Sequence, residues 1–125
     1  MIFGIGIDTV EIARIEKSMT RENFTNACFT AAERAELAGK KVQSAAACYA
    51  AKEAFFKALG TGLYPQQLLE VALLHHENGR PYLAFGGGAA LTMAEEGLAA
   101  HVSVTHEGGF ATCIVLLEIV KFNQK

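Results

Sequence analysis

Three cysteines in 125 residues, Cys28, Cys48 and Cys113, are too few and too scattered for a disulfide framework. None belongs to a CxxC pair that would point to zinc, and the odd, unpaired set fits a reducing compartment. Long hydrophobic runs are lacking as well. Every apolar stretch is too short or too interrupted to cross a bilayer. The opening MIFGIGIDTVEI has no basic segment followed by an apolar one, so no secretory signal is expected. These absences predict a cytoplasmic protein that neither enters nor spans a membrane. An excess of either charge is missing too: 11 Lys and Arg stand against 13 Asp and Glu, a formal net charge of −2. That excludes global attraction to nucleic acid or to an anionic membrane surface.

Several catalytic patterns are also missing. The run GIGIDT starts like a dinucleotide fingerprint, but the third glycine of GxGxxG would fall on Thr9 and the run lies inside the first predicted strand. There is no P-loop. His75, His76, His101 and His106 fit no HExxH spacing, no serine sits in a GxSxG elbow, and no cysteine has a local activating partner. Zinc chemistry and nucleophilic catalysis by the protein itself therefore have no sequence support.

What remains is ordinary and slightly apolar: 51% of residues are hydrophobic and 19% charged. This composition argues against disorder. The length predicts one domain over residues 1–125, large enough for a single core. Ile2 to Ile7 reads as an opening strand whose Gly4 and Gly6 imply a close backbone approach. Asp8-Thr9 offers an N-cap for a helix carrying Val10, Ile12, Ile15 and Met19. Thr30-Ala-Ala-Glu33 has capping-box spacing and predicts a short helix ending near Gly39. Ser44 to Leu59 is the strongest helical stretch, stopped by Gly60-Thr61-Gly62.

Beyond that point the period becomes two. Leu68 to His75 and Tyr82 to Phe85 read as strands joined by a turn. Gly86-Gly87-Gly88 leads into a helix near Ala89–Glu96, a turn that could also present N–H groups to phosphate. His101 to His106 and Phe110 to Ile119 make a hairpin around Gly108-Gly109. Early helices and late hairpins predict an α+β fold with a mostly antiparallel sheet.

The remaining chemistry lies in carboxylates and lysines. Glu53 and Lys57 stand at i and i+4 on one helix face, which taken alone is a surface ion pair. Asp8 taken alone is a helix cap. A strand end and a helix face can nevertheless bring Asp8 and Glu53 to one point. Two carboxylates suit Mg2+, which completes its shell with water and substrate phosphate. Lys52 and Lys57 could then neutralise phosphate charge.

Two segments, Gly4-Ile-Gly-Ile-Asp8-Thr-Val-Glu11-Ile-Ala-Arg14-Ile15 and Ala50-Ala-Lys52-Glu53-Ala-Phe-Phe-Lys57-Ala-Leu-Gly60-Thr-Gly62, resemble the two signatures of the 4′-phosphopantetheinyl transferase superfamily. Phe29-Thr30-Ala-Ala-Glu33, Asn78-Gly-Arg80-Pro81-Tyr82 and His101-Val-Ser103-Val-Thr105-His106 extend the resemblance in order along nearly the whole chain. In size and wording it is similar to the single-copy, holo-acyl-carrier-protein synthase branch. The resemblance implies transfer of 4′-phosphopantetheine from coenzyme A to a serine of an acyl carrier protein, as fatty acid biosynthesis requires, releasing adenosine 3′,5′-bisphosphate. It implies Mg2+ held by Asp8, Glu53 and the coenzyme's pyrophosphate. Lys57 would stabilise that pyrophosphate, and Gly60, Thr61 and Gly62 would let backbone approach the coenzyme. Lys52, Arg80, Pro81, Ser103 and His106 would line its pocket. The general base would be Glu53, through water, with His106 as the alternative.

Carrier proteins present an acidic helix, and Arg14, Lys17 and Arg21 fall on one face if the first helix persists. Arg14 also matches the family pattern, so these three are the expected docking residues. Cys48-Tyr49 stands where members commonly carry an Arg-aromatic pair, which removes a guanidinium expected to face phosphate; Lys40 and Lys41 are the expected stand-ins. A single copy of the fold implies assembly, with a homotrimer and sites at subunit interfaces as the family precedent. The rival readings are a silent module that only holds coenzyme A or a nucleotide, and a purely structural oligomer. The latter needs no clustering of Asp8, Glu53 and Lys57.

Overall fold

The computed structural model describes residues 1–62 and 65–121, with backbone alone at 65 and 66. Strand β1 (Ile2–Glu11) opens the chain. Helices α1 (Ile12–Ser18), α2 (Phe24–Cys28), α3 (Ala31–Leu37) and α4 (Val42–Leu59) follow. A 3-10 turn (Pro65–Glu70) leads into the hairpin β2 (Val71–His75) and β3 (Pro81–Phe85). Helix α5 (Gly87–Glu95) precedes a second hairpin, β4 (Leu98–Glu107) and β5 (Phe110–Ile119). One antiparallel sheet has the order β1-β5-β4, and β2-β3 form a second. This is the α+β architecture that early helices and late hairpins predict, with the long helix α4 packed on β1 and β5.

The alanine-rich sequence of α4 explains that packing. Its small side chains at Ala46, Ala50, Ala51 and Ala54 are fully buried, and Phe55 and Phe56 fill the core beside them. Opposite them, Gly4 and Gly6 of β1 leave no room for a side chain. A Cβ at Gly4 would stand 2.0 Å from the Ala58 carbonyl oxygen, and one at Gly6 2.0 Å from that of Ala54. The strand therefore lies directly on the helix backbone, as the interrupted apolar run implies. Gly60, in the left-handed conformation (φ 83°), ends α4 where the sequence places its stop.

The structure departs from the sequence reading at β1. The strand runs to Glu11, so Asp8 and Thr9 cap nothing; Glu11 occupies the N-cap of α1 and makes no side-chain cap bond. The reason is non-local: Asp8 to Glu11 pair with Cys113 to Phe110 of β5, and the ladder outweighs a local cap. Helix α4 starts two residues earlier than expected, and Leu68–Glu70 belong to the 3-10 turn rather than to a strand. Helix α2 has no periodic signature. Phe24 packs edge-on to Phe29 and stacks on Tyr49. The capping box of α3 forms as expected, with Thr30 Oγ1 accepting from the Glu33 N–H at 3.1 Å. No helix among the described residues is long and apolar enough to cross a membrane.

Candidate active site

Alternation along β1 turns Gly4, Gly6, Asp8 and Val10 toward α4 and leaves Ile5, Ile7 and Thr9 outside. On α4 the spacing of four places Glu53 and Lys57 on the turns that meet the end of this inward row. Lys57 Nζ donates to Asp8 Oδ1 at 3.2 Å and to the Ile7 carbonyl at 3.0 Å. The Asp8 side chain is only 10% exposed, and its second oxygen, Oδ2, is buried without a hydrogen-bond partner. An orphaned buried acceptor is costly unless something fills it. Glu53 lies half-buried beside it. Burial first, and then the Asp8 charge, push the Glu53 carboxyl above its ordinary value, while Lys57 and Arg14 pull the other way.

These two carboxylates have the donor chemistry that suits Mg2+: hard oxygens, two in number, one of them buried without a hydrogen-bond partner, with the neighbouring Lys57 open to solvent. Among the described residues no group of three or more His, Cys, Asp or Glu side chains could hold a metal. The pair therefore suits an ion that takes the rest of its shell from water and phosphate.

Lys52 is a correction. Its side chain is fully buried, and all three donors are used: on Glu33 Oε1 at 2.7 Å, on the Leu68 carbonyl at 2.8 Å and on the Val71 carbonyl. No donor is left for phosphate or for lining a coenzyme pocket. Lys41 loses its rationale too. It sits at the N-cap of α4, twelve residues before Glu53, or about 18 Å along the axis. The position it was expected to compensate faces the core: Cys48 is buried and its Sγ points at the Leu73 carbonyl. The glycine run is likewise no phosphate cradle. Glu70 lies against Gly87 and Gly88, and its carboxylate accepts the Ala89 N–H at 3.0 Å, filling the N-terminus of α5 from within.

Gly60, Thr61 and Gly62 lie exposed just beyond Lys57 on α4. Arg80 and Pro81 are at the β2–β3 turn, with the Arg80 N–H held by Asn78 Oδ1 at 3.0 Å. Ser103 and His106 are on β4, separated from β1 by β5 and thus by two strand spacings, about 10 Å. Ser103 faces outward beside Ile114, and His106 Nε2 lies 3.2 Å from the Gln43 carbonyl. Within one chain, none of these four joins Asp8, Glu53 and Lys57.

Arg14, Lys17 and Arg21 do come together. Helix α1 stops at Ser18, but turn hydrogen bonds at Thr20 and Arg21 continue its path. The three line one hollow of about 250 Å3 with Ser18 and Thr20, and Arg21 lies over the Phe24 ring. Tyr49, the aromatic of the Cys48-Tyr49 pair, is a neighbour of Glu53 to which motif reading assigns no role. It sits one turn before Glu53, and burial and the Glu53 charge raise its phenol. The i, i+4 spacing is the available signal.

Comparison with known proteins shows the family. Residues 4–115 match the model of the 4′-phosphopantetheinyl transferase superfamily. A holo-[acyl-carrier-protein] synthase of Trichlorobacter lovleyi is 43% identical over 124 residues, covering 94% of this chain and 98% of that protein. The crystal structure of a holo-(acyl-carrier-protein) synthase from Bacillus anthracis in complex with CoA aligns at TM-score 0.81 and 33% identity, covering 96% of this chain and 99% of that one. The corresponding enzyme of Neisseria meningitidis aligns at TM-score 0.84 and 30% identity, over 94% of this chain and 99% of its own. With its two signature segments joined at Asp8, Glu53 and Lys57, this chain belongs to the 4′-phosphopantetheinyl transferase superfamily.

Proposed function

We propose that this protein, acting as a single domain in the cytoplasm, is a Mg2+-dependent holo-acyl-carrier-protein synthase. It transfers 4′-phosphopantetheine from coenzyme A to a serine of an apo carrier protein, for fatty acid synthesis, and releases adenosine 3′,5′-bisphosphate. The observation that carries this reading is the meeting of Asp8 and Glu53, with Lys57 bonded to Asp8, in a chain of this family.

Asp8 and Glu53 would hold the ion, with Asp8 Oδ2 offering an unused acceptor. When bound, Mg2+ neutralises pyrophosphate charge and eases departure of the bisphosphate. Lys57, 55% exposed at its side chain, has reach to swing from Asp8 onto the pyrophosphate. Glu53 would take the serine proton through water. The serine oxygen then attacks the β-phosphorus, and the bond to the bridging oxygen breaks. No protein nucleophile is needed. Gly60, Thr61 and Gly62 pass along the coenzyme next to Lys57.

The homotrimer belongs to this proposal. The outward face of the β1-β5-β4 sheet exposes Ile5 (59%), Ile7 (57%) and Ile114 (38%) side by side. A neighbouring copy covering that face would bring its Arg80, Pro81, Ser103 or His106 toward the coenzyme. Arg14, Lys17 and Arg21 would meet the acidic helix of the carrier, steering encounter more than tightening the complex. The test is intact-mass spectrometry of apo carrier protein incubated with the enzyme, coenzyme A and Mg2+. Addition of one phosphopantetheine is expected. Coenzyme A binding with no addition to any carrier would leave only the binding-module reading.

A further inference from the structure

We propose that the buried Lys52–Glu33 pair is a positioning device for coenzyme binding: it clamps the far end of the segment that leaves α4 through Gly60-Thr61-Gly62. The inference rests on the transferase reading above. Lys52 lies on α4 two turns before Gly60, yet its ammonium holds the carbonyls of Leu68 and Val71, one inside the 3-10 turn and one just past it. The chain therefore leaves α4 at Gly60 and is fastened back onto α4 by residue 68, about 12 Å up the axis. Both ends of the stretch carrying the expected coenzyme glycines are thus fixed on one rigid helix.

Glu33 completes the clamp. One oxygen takes Lys52 at 2.7 Å and the Thr30 N–H at 3.0 Å; the other takes the Leu73 N–H at 2.9 Å. Both side chains are fully excluded from solvent. Apolar residues of similar volume often stabilise a core as well as a buried ion pair does, so a buried pair is weak evidence for a stability role. What distinguishes this one is its partners, main-chain groups from three separate segments. A clamp that orders a binding segment before the ligand arrives lowers the ordering cost of binding. It leaves the reacting groups untouched.

The experiment uses the double variant Lys52→Met/Glu33→Gln, which removes both charges and releases Leu68 and Val71. The new carboxamide oxygen still offers an acceptor to the Leu73 N–H. The expected result is a rise in KM for coenzyme A of about tenfold or more. The kcat and the KM for carrier protein should stay within about threefold, and amide exchange should quicken over residues 60–62 and 67–71. Should the double variant not fold, Glu33→Asp, which keeps both charges but shortens the arm, decides by the same split, with a smaller rise. A folded variant with wild-type KM for coenzyme A overturns the clamp and leaves the transferase reading standing. Wild-type protein that modifies no carrier overturns that reading, and the clamp with it.

Discussion

The two faces of strand β1 do opposite things with adjacent residues. Gly4, Gly6 and Asp8 face inward, where two missing side chains let the strand rest on α4 and the third meets Glu53 and Lys57. Ile5 and Ile7 face outward and are each more than half exposed. The inward face has a carboxylate oxygen with no partner; the outward face has an apolar surface with no cover. We read the first as the place of a metal and its pyrophosphate, the second as the seat of a second subunit.

The largest effect should come from the inward face. Asp8→Asn is expected to lower transfer on the order of a thousandfold, since it removes a charge that positions the ion. The same change should raise the melting temperature of the metal-free protein, because it relieves two neighbouring carboxylates. Equal or lower stability would mean that the like charges store no strain. On the outward face, Ile5→Glu should prevent the proposed trimer in sedimentation and cut transfer about a hundredfold, the chain remaining folded by circular dichroism. A monomer of full activity would show that the site is complete in one copy.

Gly6→Ala tests the join between the faces. Its Cβ cannot coexist with the Ala54 carbonyl, so a loss of about 2–3 kcal/mol in chemical denaturation is expected. A loss below about 0.5 kcal/mol would mean that strand and helix slide apart freely.

The smallest effect lies away from β1, where Glu36 of α3 meets His75 of β2. Burial pushes the Glu36 carboxyl up, but hydrogen bonds from the His75 ring and backbone outweigh it and hold it below its ordinary value. A lowered carboxyl contributes stability above its unfolded pKa, lost as pH falls through the folded one. Glu36→Gln should therefore lower the melting temperature at pH 7 slightly, by less than about 1 kcal/mol in stability. That difference should close in acid, below the ordinary value of 4.5. A gap unchanged down to pH 3 would argue that the contact is not electrostatic.

The features legible in the sequence are those written in local spacing. Thr30 and Glu33 form their capping box, Gly60 stops α4, and Gly108-Gly109 turn the last hairpin, because each depends on residues a few places apart. Asp8 reads as a cap for the same reason, and wrongly, since the β5 residues that recruit it lie about a hundred positions later. Lys52 looks like a phosphate ligand because its neighbours in sequence are a site's neighbours. Its buried fate is set by Glu33, Leu68 and Val71, which no local pattern connects. Cys48 shows the same limit: a position expected to face phosphate points into the core. The five-residue α2 is too short to show a period and takes support from ring contacts with Phe29 and Tyr49.

In the proposed enzyme Asp8 and Glu53 form one metal site completed by the coenzyme's pyrophosphate. Isothermal titration of Mg2+ into the protein, with and without coenzyme A, tests it most directly. One ion per chain is expected, bound at least tenfold more tightly with coenzyme A present, with no binding to Asp8→Asn. Equal Mg2+ affinity in wild type and Asp8→Asn would contradict it.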